Sequence, residues 1–123
     1  MTIIEAINRV DNLKHNTYGY ADKAKWLSTL DSLVKRGCID THEGGEDIVF
    51  NGYNAETDPE TVLLVGEPYD EMYIRWLEAQ IDYANAEYDR YNNAVEAFNA
   101  FWTDFKNYYN RTHMPKGVGM RFF

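Results

Sequence analysis

Residues 70–112, DEMYIRWLEAQIDYANAEYDRYNNAVEAFNAFWTDFKNYYNRT, decide the fold of this chain. The stretch contains no glycine or proline, and steps of alternately three and four residues from Ile74 always meet an apolar or aromatic side chain. This is the spacing of a coiled-coil-like seam. At 1.5 Å per residue, one continuous helix here would be roughly 60 Å long. The seam positions are Ile74, Leu77, Ile81, Ala84, Tyr88, Tyr91, Val95, Phe98, Trp102, Phe105 and Tyr109.

A second apolar stripe widens this face beyond a simple two-stranded seam, with Tyr73, Trp76, Tyr83, Phe101 and Tyr108. We predict one long C-terminal helix whose second half lies beyond the reach of the remaining chain. A break near residues 91–93 is the alternative. It would give two shorter helices and a compact bundle in which the aromatic residues form an intramolecular core.

Two shorter helices are predicted before this stretch. Thr2 and Glu5 match a capping box at the start of the first, which should end near Asn16. Asp22 can cap the second, and Gly37 is placed to end it. Helices of this length are marginal alone and must pack against other elements.

The segment between the second helix and the long one has β-forming character. The runs DIVFNGY and TVLLVGE flank the turn-forming NAETDPE, which predicts a β-hairpin or a long loop over about residues 43–68. The predicted fold is therefore mainly α: a small helical bundle with one long C-terminal helix and this insertion between helices 2 and 3. Residues 1–113 would form a single domain, followed by an extended basic arm over residues 114–123.

Charge is unevenly distributed along the chain. The net charge is −8, which argues against a sequence-specific or general nucleic-acid binder, because affinity for phosphate depends on Lys and Arg. Residues 105–123 hold four basic and no acidic residues, so this end is suited to a differently charged surface. The single cysteine and the lack of a long apolar run predict a protein of a reducing cytoplasm with no membrane partner.

No residue pattern predicts catalysis or metal binding. His42 is followed by Glu43 but by no second histidine at zinc-ligand spacing, so DTHEGGED at residues 40–47 is expected to be a solvated acidic turn. Cys38 and His42 are four residues apart, but no third group is placed to orient the imidazole. We therefore expect no enzyme, no catalytic or metal site and no cofactor.

The chain resembles a family of small proteins encoded in prophages of gut Firmicutes. The resemblance spans nearly the whole chain and depends on TIIEAINRVDNLKHNTY, DTHEGGED, YDEMYIRWLEAQIDY and NYYNRTHMPKG. Size, charge and helix order are similar to those of phage head–tail connector (adaptor) proteins. That likeness implies a structural virion protein, made in the host cytoplasm, which forms a ring of identical copies at the portal and contacts portal and tail-completion proteins.

The same likeness implies two sets of contact residues. The oligomer or partner interface would use Phe50, Tyr53, Val62, Leu64, Trp76, Tyr83, Tyr91, Phe98, Trp102 and Tyr109. The arm that docks on the portal would use Arg111, Lys116, Arg121, Phe122 and Phe123, unless this end is only a frayed terminus.

Two alternatives belong to other classes. One is a small acidic regulatory binder, such as a phage-encoded inhibitor that mimics DNA, with carboxylates arrayed along the long helix. The candidates for that array are Glu71, Glu78, Asp82, Glu87, Asp89 and Glu96. The other is a coiled-coil chaperone or scaffold.

Overall fold

A computed structural model describes residues 1–114 as a bundle of four α-helices. The helices are α1 (Ile3–Leu13), α2 (Tyr20–Val34), α3 (Glu71–Ala84) and α4 (Tyr88–Thr112). A short π-helical segment, Lys35–Ile39, continues α2, and a 3-10 turn covers Gly45–Asp47. The predicted mainly helical class and the long C-terminal helix are confirmed.

The N-terminus of α1 has the predicted capping box. The Thr2 hydroxyl accepts a hydrogen bond from the Glu5 backbone N–H at 3.2 Å, and the Glu5 carboxylate accepts one from the Thr2 N–H at 3.3 Å. Two backbone donors that the first turn of a helix leaves unpaired are thereby satisfied. The second helix begins earlier than predicted, at Tyr20, with Gly19 rather than Asp22 at its N-cap position.

The long C-terminal helix covers Tyr88–Thr112 rather than all of residues 71–112, and the break that separates it from α3 does not lie at residues 91–93, which are inside α4. The α3 helix ends in a Schellman motif: the Glu87 N–H donates to the Asp82 carbonyl at 2.8 Å and the Ala86 N–H to that of Tyr83 at 3.0 Å. This motif requires a left-handed residue, and Ala86 supplies it with φ of 58°. Sequence reasoning missed the break because glycine or asparagine usually occupies this position.

Because of this turn, α4 folds back along α3 and the two halves of the aromatic seam face each other. The Trp76 and Phe98 rings are 5.2 Å apart, and Phe98 stacks on Trp102 at 6.1 Å. Phe105 and Tyr109 are buried further along α4. The apolar face that was expected to lie beyond the reach of the chain is largely covered by the chain itself.

Paired residues give the direction of each helix. Arg9 of α1 and Lys14, the residue that follows α1, pair with Glu71 and Asp82 of α3, so these two helices run the same way. The hydrogen bonds from Tyr73 to Asp31 and from Trp76 to the Trp26 carbonyl show that α2 runs against α3. We call the end with the α1–α2 and α3–α4 connections the turn end, and the opposite end the loop end.

The segment between α2 and α3 is a long loop rather than a β-hairpin. Its β pairing beside the start of α1 is an antiparallel bridge between Thr2 and Val62. Backbone hydrogen bonds join Ile3 to Thr61 and Leu63 to Met1, both near 3.0 Å, so the returning half of the loop runs beside the start of α1.

Candidate interaction surface

A buried carboxylate fixes the long loop on the bundle. Asp31 is fully buried on α2 and accepts hydrogen bonds from the Tyr53 hydroxyl at 2.5 Å and the Tyr73 hydroxyl at 2.6 Å. The Leu64 N–H donates to it at 3.2 Å. Since Tyr53 and Leu64 belong to the two halves of the loop, Asp31 determines where the residues between them emerge.

Burial sets the ionisation behaviour of this group. Removal from water raises the pKa of Asp31 above its usual value, although the hydrogen bonds from Tyr53, Tyr73 and Leu64 act in the opposite direction. The same burial, together with the neighbouring carboxylate, raises the pKa values of both tyrosine hydroxyls. Both tyrosines therefore remain donors at neutral pH.

The loop carries three exposed aliphatic side chains, Ile48 and Val49 on its first half and Val62 on its returning half, which we together call the loop surface. Val49 is 76% exposed and Val62 is 67% exposed. Phe50 is half-buried, with its ring edge-on to Tyr53 at 5.1 Å. The loop surface is thus made of aliphatic side chains held outward on an anchored backbone.

The second exposed apolar group lies at the turn end and consists of Tyr83, Tyr88 and Tyr91, which we call the tyrosine surface. Tyr83 is 59% exposed and Tyr88 is 56% exposed. The Tyr83 ring lies 5.9 Å from that of Tyr88 and 5.2 Å from that of Tyr91. The Tyr18 hydroxyl donates to the Asn85 side chain at 2.7 Å, which ties this turn to the α1–α2 connection.

The structure divides the predicted interface residues into two groups. Tyr53, Phe98 and Tyr109 are buried within the chain, and their contacts identify them as core residues. Those that reach the surface wholly or in part remain candidates for an interface: Phe50, Val62, Leu64, Trp76, Tyr83, Tyr91 and Trp102. Trp76 already donates its indole N–H to the Trp26 carbonyl at 2.7 Å, which leaves only part of its ring for a partner.

The predicted arm is described only at its beginning. Arg111 is exposed on the last turn of α4, and the Met114 carbonyl accepts a hydrogen bond from the Glu43 N–H at 2.9 Å. Lys116, Arg121, Phe122 and Phe123 lie outside the described residues, so their docking role stays a prediction.

His42 has a structural role that the sequence reasoning missed. The sequence predicts a solvated turn at this position, and that prediction is wrong for His42. Its side chain is buried, and its Nδ1–H donates to the Cys38 carbonyl at 2.6 Å. Its Nε2 faces the Asn110 side-chain amide at 2.8 Å, and its ring is edge-on to Tyr109 at 4.9 Å. His42 therefore joins the segment after α2 to the end of α4. The one signal in the sequence for the hydrogen bond between His42 and Cys38 was their spacing of four residues.

Cys38 is buried beside this contact, and burial raises the pKa of its thiol. A thiol with a raised pKa is less nucleophilic at neutral pH. Within residues 1–114, no three His, Cys, Asp or Glu side chains are grouped in a way that could hold a metal ion. In the same residues, no helix combines the length and the apolar character needed to cross a membrane.

Comparison with known proteins adds no relative: no protein-family model, no curated protein and no solved structure matches this chain.

Proposed function

We propose that this chain is a structural, non-enzymatic subunit that assembles with copies of itself, and that its role is that of a phage head–tail connector in the virion. One observation carries the proposal: two chemically different apolar surfaces are exposed at opposite ends of the bundle. These are the tyrosine surface at the turn end and the loop surface.

The position of α2 gives the separation of the two surfaces. Tyr18 and Asn85 mark the turn end beside the start of α2, whereas Phe50 and Asn51 line one cavity together with Ser32 and Lys35 near its other end. The α2 helix has 15 residues, which corresponds to about 22 Å. The two surfaces are therefore too far apart to form one patch.

Separate surfaces of this kind suit a heterologous contact. If the tyrosine surface of one copy contacts the loop surface of the next, the first copy still has its loop surface available and the second its tyrosine surface. Further copies can then bind head to tail, and the assembly closes into a ring when the rotation between neighbouring copies permits closure. Tyrosine suits such a contact because it adds apolar area and keeps a hydroxyl for a partner or water. The portal and tail-completion proteins would be the further partners.

The acidic-binder alternative has less support from the geometry. Four of the six carboxylates that were expected to form an array pair with cations of the same chain: Glu71 with Arg9, Glu78 with Arg75, Asp82 with Lys14 and Glu87 with Arg90. Pairing offsets the negative charge that a DNA mimic must display. We therefore propose no second function.

Complementary variants test the heterologous contact. Tyr83→Ser with Tyr88→Ser removes the tyrosine surface, and Val49→Ser with Val62→Ser removes the loop surface. Asn99→Ser, at an exposed polar position of α4, is the control. In size-exclusion chromatography with light scattering, the wild type and the control should form larger species as concentration rises, and each double variant should remain a monomer.

An equimolar mixture of the two double variants should form dimers and nothing larger, because only one intact pair of faces is available. A symmetric contact predicts differently: one double variant would behave like the wild type and the mixture would add nothing. Co-elution with the portal protein of the same genome tests the connector role. A wild-type protein that stays monomeric at all concentrations and does not co-elute with the portal contradicts the proposal.

A further inference from the structure

The chain beyond α4 begins beside the first half of the long loop. The Glu43 N–H donates to the Met114 carbonyl at 2.9 Å, which fixes the point from which the following residues start. Those residues, 115–123 with the sequence PKGVGMRFF, lie outside the described part of the chain, and we call them the tail. A surface of the same chain that receives the tail must therefore lie within its reach from Glu43.

Three carboxylates close to this starting point are exposed: Glu43, Glu46 and Asp47, which we call the acidic turn. Among residues 1–114, none of the three forms an ion pair. The carboxylates of α3 differ in this respect, since most of them pair with cations of the bundle. The acidic turn is therefore suited to a basic partner.

The residues after the acidic turn combine exposed aliphatic side chains with unpaired backbone groups. Ile48 and Val49 are exposed, and Ile48 has an extended backbone with φ of −96° and ψ of 117°. Within the described residues, the backbone N–H and C=O groups of Val49 and Phe50 make no hydrogen bonds to other backbone groups. An exposed segment of this kind is suited to pair with a second extended segment.

We infer that the tail binds residues 43–49 of the same chain. The tail has two basic residues, Lys116 and Arg121, and no acidic residue, so its charge is opposite to that of the acidic turn. The two phenylalanines at its end would remove exposed aliphatic surface from water, which is the dominant favourable term in most contacts between apolar groups. Both halves of the tail thus have a complementary group on the loop.

The tail is long enough for this contact. Val49 is six residues from Glu43, so the two can be at most about 22 Å apart. Phe122 is eight residues from Met114, and an extended chain of that length spans about 26–29 Å. Because Met114 is hydrogen-bonded to Glu43, the aromatic end can reach Val49 with no movement of the bundle.

A bound tail would cover part of the loop surface, because that surface includes Ile48 and Val49. If the proposed function is right, the tail then competes with the tyrosine surface of another copy. A chain that ends at Met114 should associate at a concentration at least about threefold lower, if the tail is bound in about two thirds of full-length molecules. An equal concentration dependence would refute this competition. If neither chain associates, the proposed function fails, and the NMR measurement below still decides the contact.

Nuclear Overhauser effects (NOEs) in the methyl-labelled full-length chain test the contact directly, at a concentration where the protein is monomeric. The ring protons of Phe122 and Phe123 should show NOEs to the methyl groups of Ile48 and Val49. In a mixture of labelled and unlabelled chains, filtered spectra that detect only contacts between copies should show none. The absence of these NOEs in the full-length chain would overturn the inference. NOEs found only between copies would assign the tail to a second copy and would also overturn it.

Charge reversal tests the ion pairs of the contact. Glu46→Lys with Asp47→Lys places two positive charges opposite the basic tail and should abolish the NOEs. Adding Lys116→Glu and Arg121→Glu to that variant exchanges the charges of the two partners and should restore the NOEs. Loss of the NOEs with no recovery in the exchanged variant would contradict pairing between these groups.

A second pair of loop carboxylates supplies the control. Glu56 and Glu60 are exposed and lie further along the loop, outside the inferred contact. Glu56→Lys with Glu60→Lys changes the net charge by the same amount as the variant of the acidic turn and should preserve the NOEs. Equal loss of the NOEs in both variants would show an effect of net charge alone and would refute binding at the acidic turn.

Discussion

Replacing Ala86 by glycine distinguishes a folded-back hairpin from a continuous helix by the sign of its effect on stability. In the structure Ala86 has φ of 58°, a left-handed conformation that costs an L-residue about 1–2 kcal/mol relative to glycine. Glycine also increases the conformational entropy of the unfolded chain, which offsets about 0.4–1 kcal/mol. Ala86→Gly should therefore stabilise the protein by about 0.5–1 kcal/mol. In the interior of a helix the same change would destabilise it by about 1 kcal/mol.

Urea denaturation followed by far-UV circular dichroism measures this difference. Ala100→Gly is the control, because Ala100 is exposed inside α4 and should lose about 1 kcal/mol on substitution. The two variants should thus differ by roughly 1.5–2 kcal/mol, the sum of the gain at the turn and the loss in the helix. Equal destabilisation by both glycines would refute the turn at residues 85–87 and restore the continuous helix.

Three further predictions concern the core and the anchored loop. Asp31→Ala leaves the buried hydroxyls of Tyr53 and Tyr73 without their acceptor and should lower the free energy of unfolding, measured by urea denaturation, by about 2–6 kcal/mol. The control is Asp104→Ala at an exposed position, which should change stability by less than about 0.5 kcal/mol. A loss below about 1 kcal/mol for Asp31→Ala would argue against its role in holding the loop. Because the pKa of Asp31 is raised in the folded state, its contribution to stability is greatest below its usual pKa and is lost as pH rises through the folded-state pKa. The stability of Asp31→Asn relative to wild type should therefore increase as pH rises over that window, and a flat difference would contradict the shift. Phe98→Ala should lower the free energy of unfolding of the isolated monomer by about 3–5 kcal/mol, because the ring is buried between Trp76 and Trp102. Unchanged stability of the monomer would contradict the burial of Phe98.

The sequence assigns the aromatic residues of the seam equally well to an intramolecular core or to an interface. Only the folded structure shows which of these residues the chain itself covers. A heptad spacing states which side chains lie on one face of a helix, but it does not state what covers that face. Phe98 and Tyr109 belong to the seam and are buried by the chain's own α3 helix and loop-end residues. Tyr83 lies beside the turn, where its ring contacts only Tyr88 and Tyr91 among the aromatic rings of residues 1–114, and it remains 59% exposed.

The polar residues that organise the structure were hard to identify for a different reason. Asp31 lies among apolar residues on α2, and its partners Tyr53 and Tyr73 are 22 and 42 residues away in sequence. His42 and Asn110 are 68 residues apart. No local pattern connects such pairs, because each depends on how the elements pack.

The sequence by itself determined the helical class, the capping box at Thr2 and the apolar face of the C-terminal stretch, because these depend on local hydrogen bonds and on periodicity within one element. The tertiary structure alone decided where that stretch breaks. Alanine has no strong preference for the left-handed conformation that Ala86 adopts. The folded state compensates for this strain because packing α4 onto α3 buries large aromatic side chains, and each of them stabilises the fold by about 1.5–3 kcal/mol or more. Burial gained between distant residues thus outweighed the local preference for a continuous helix.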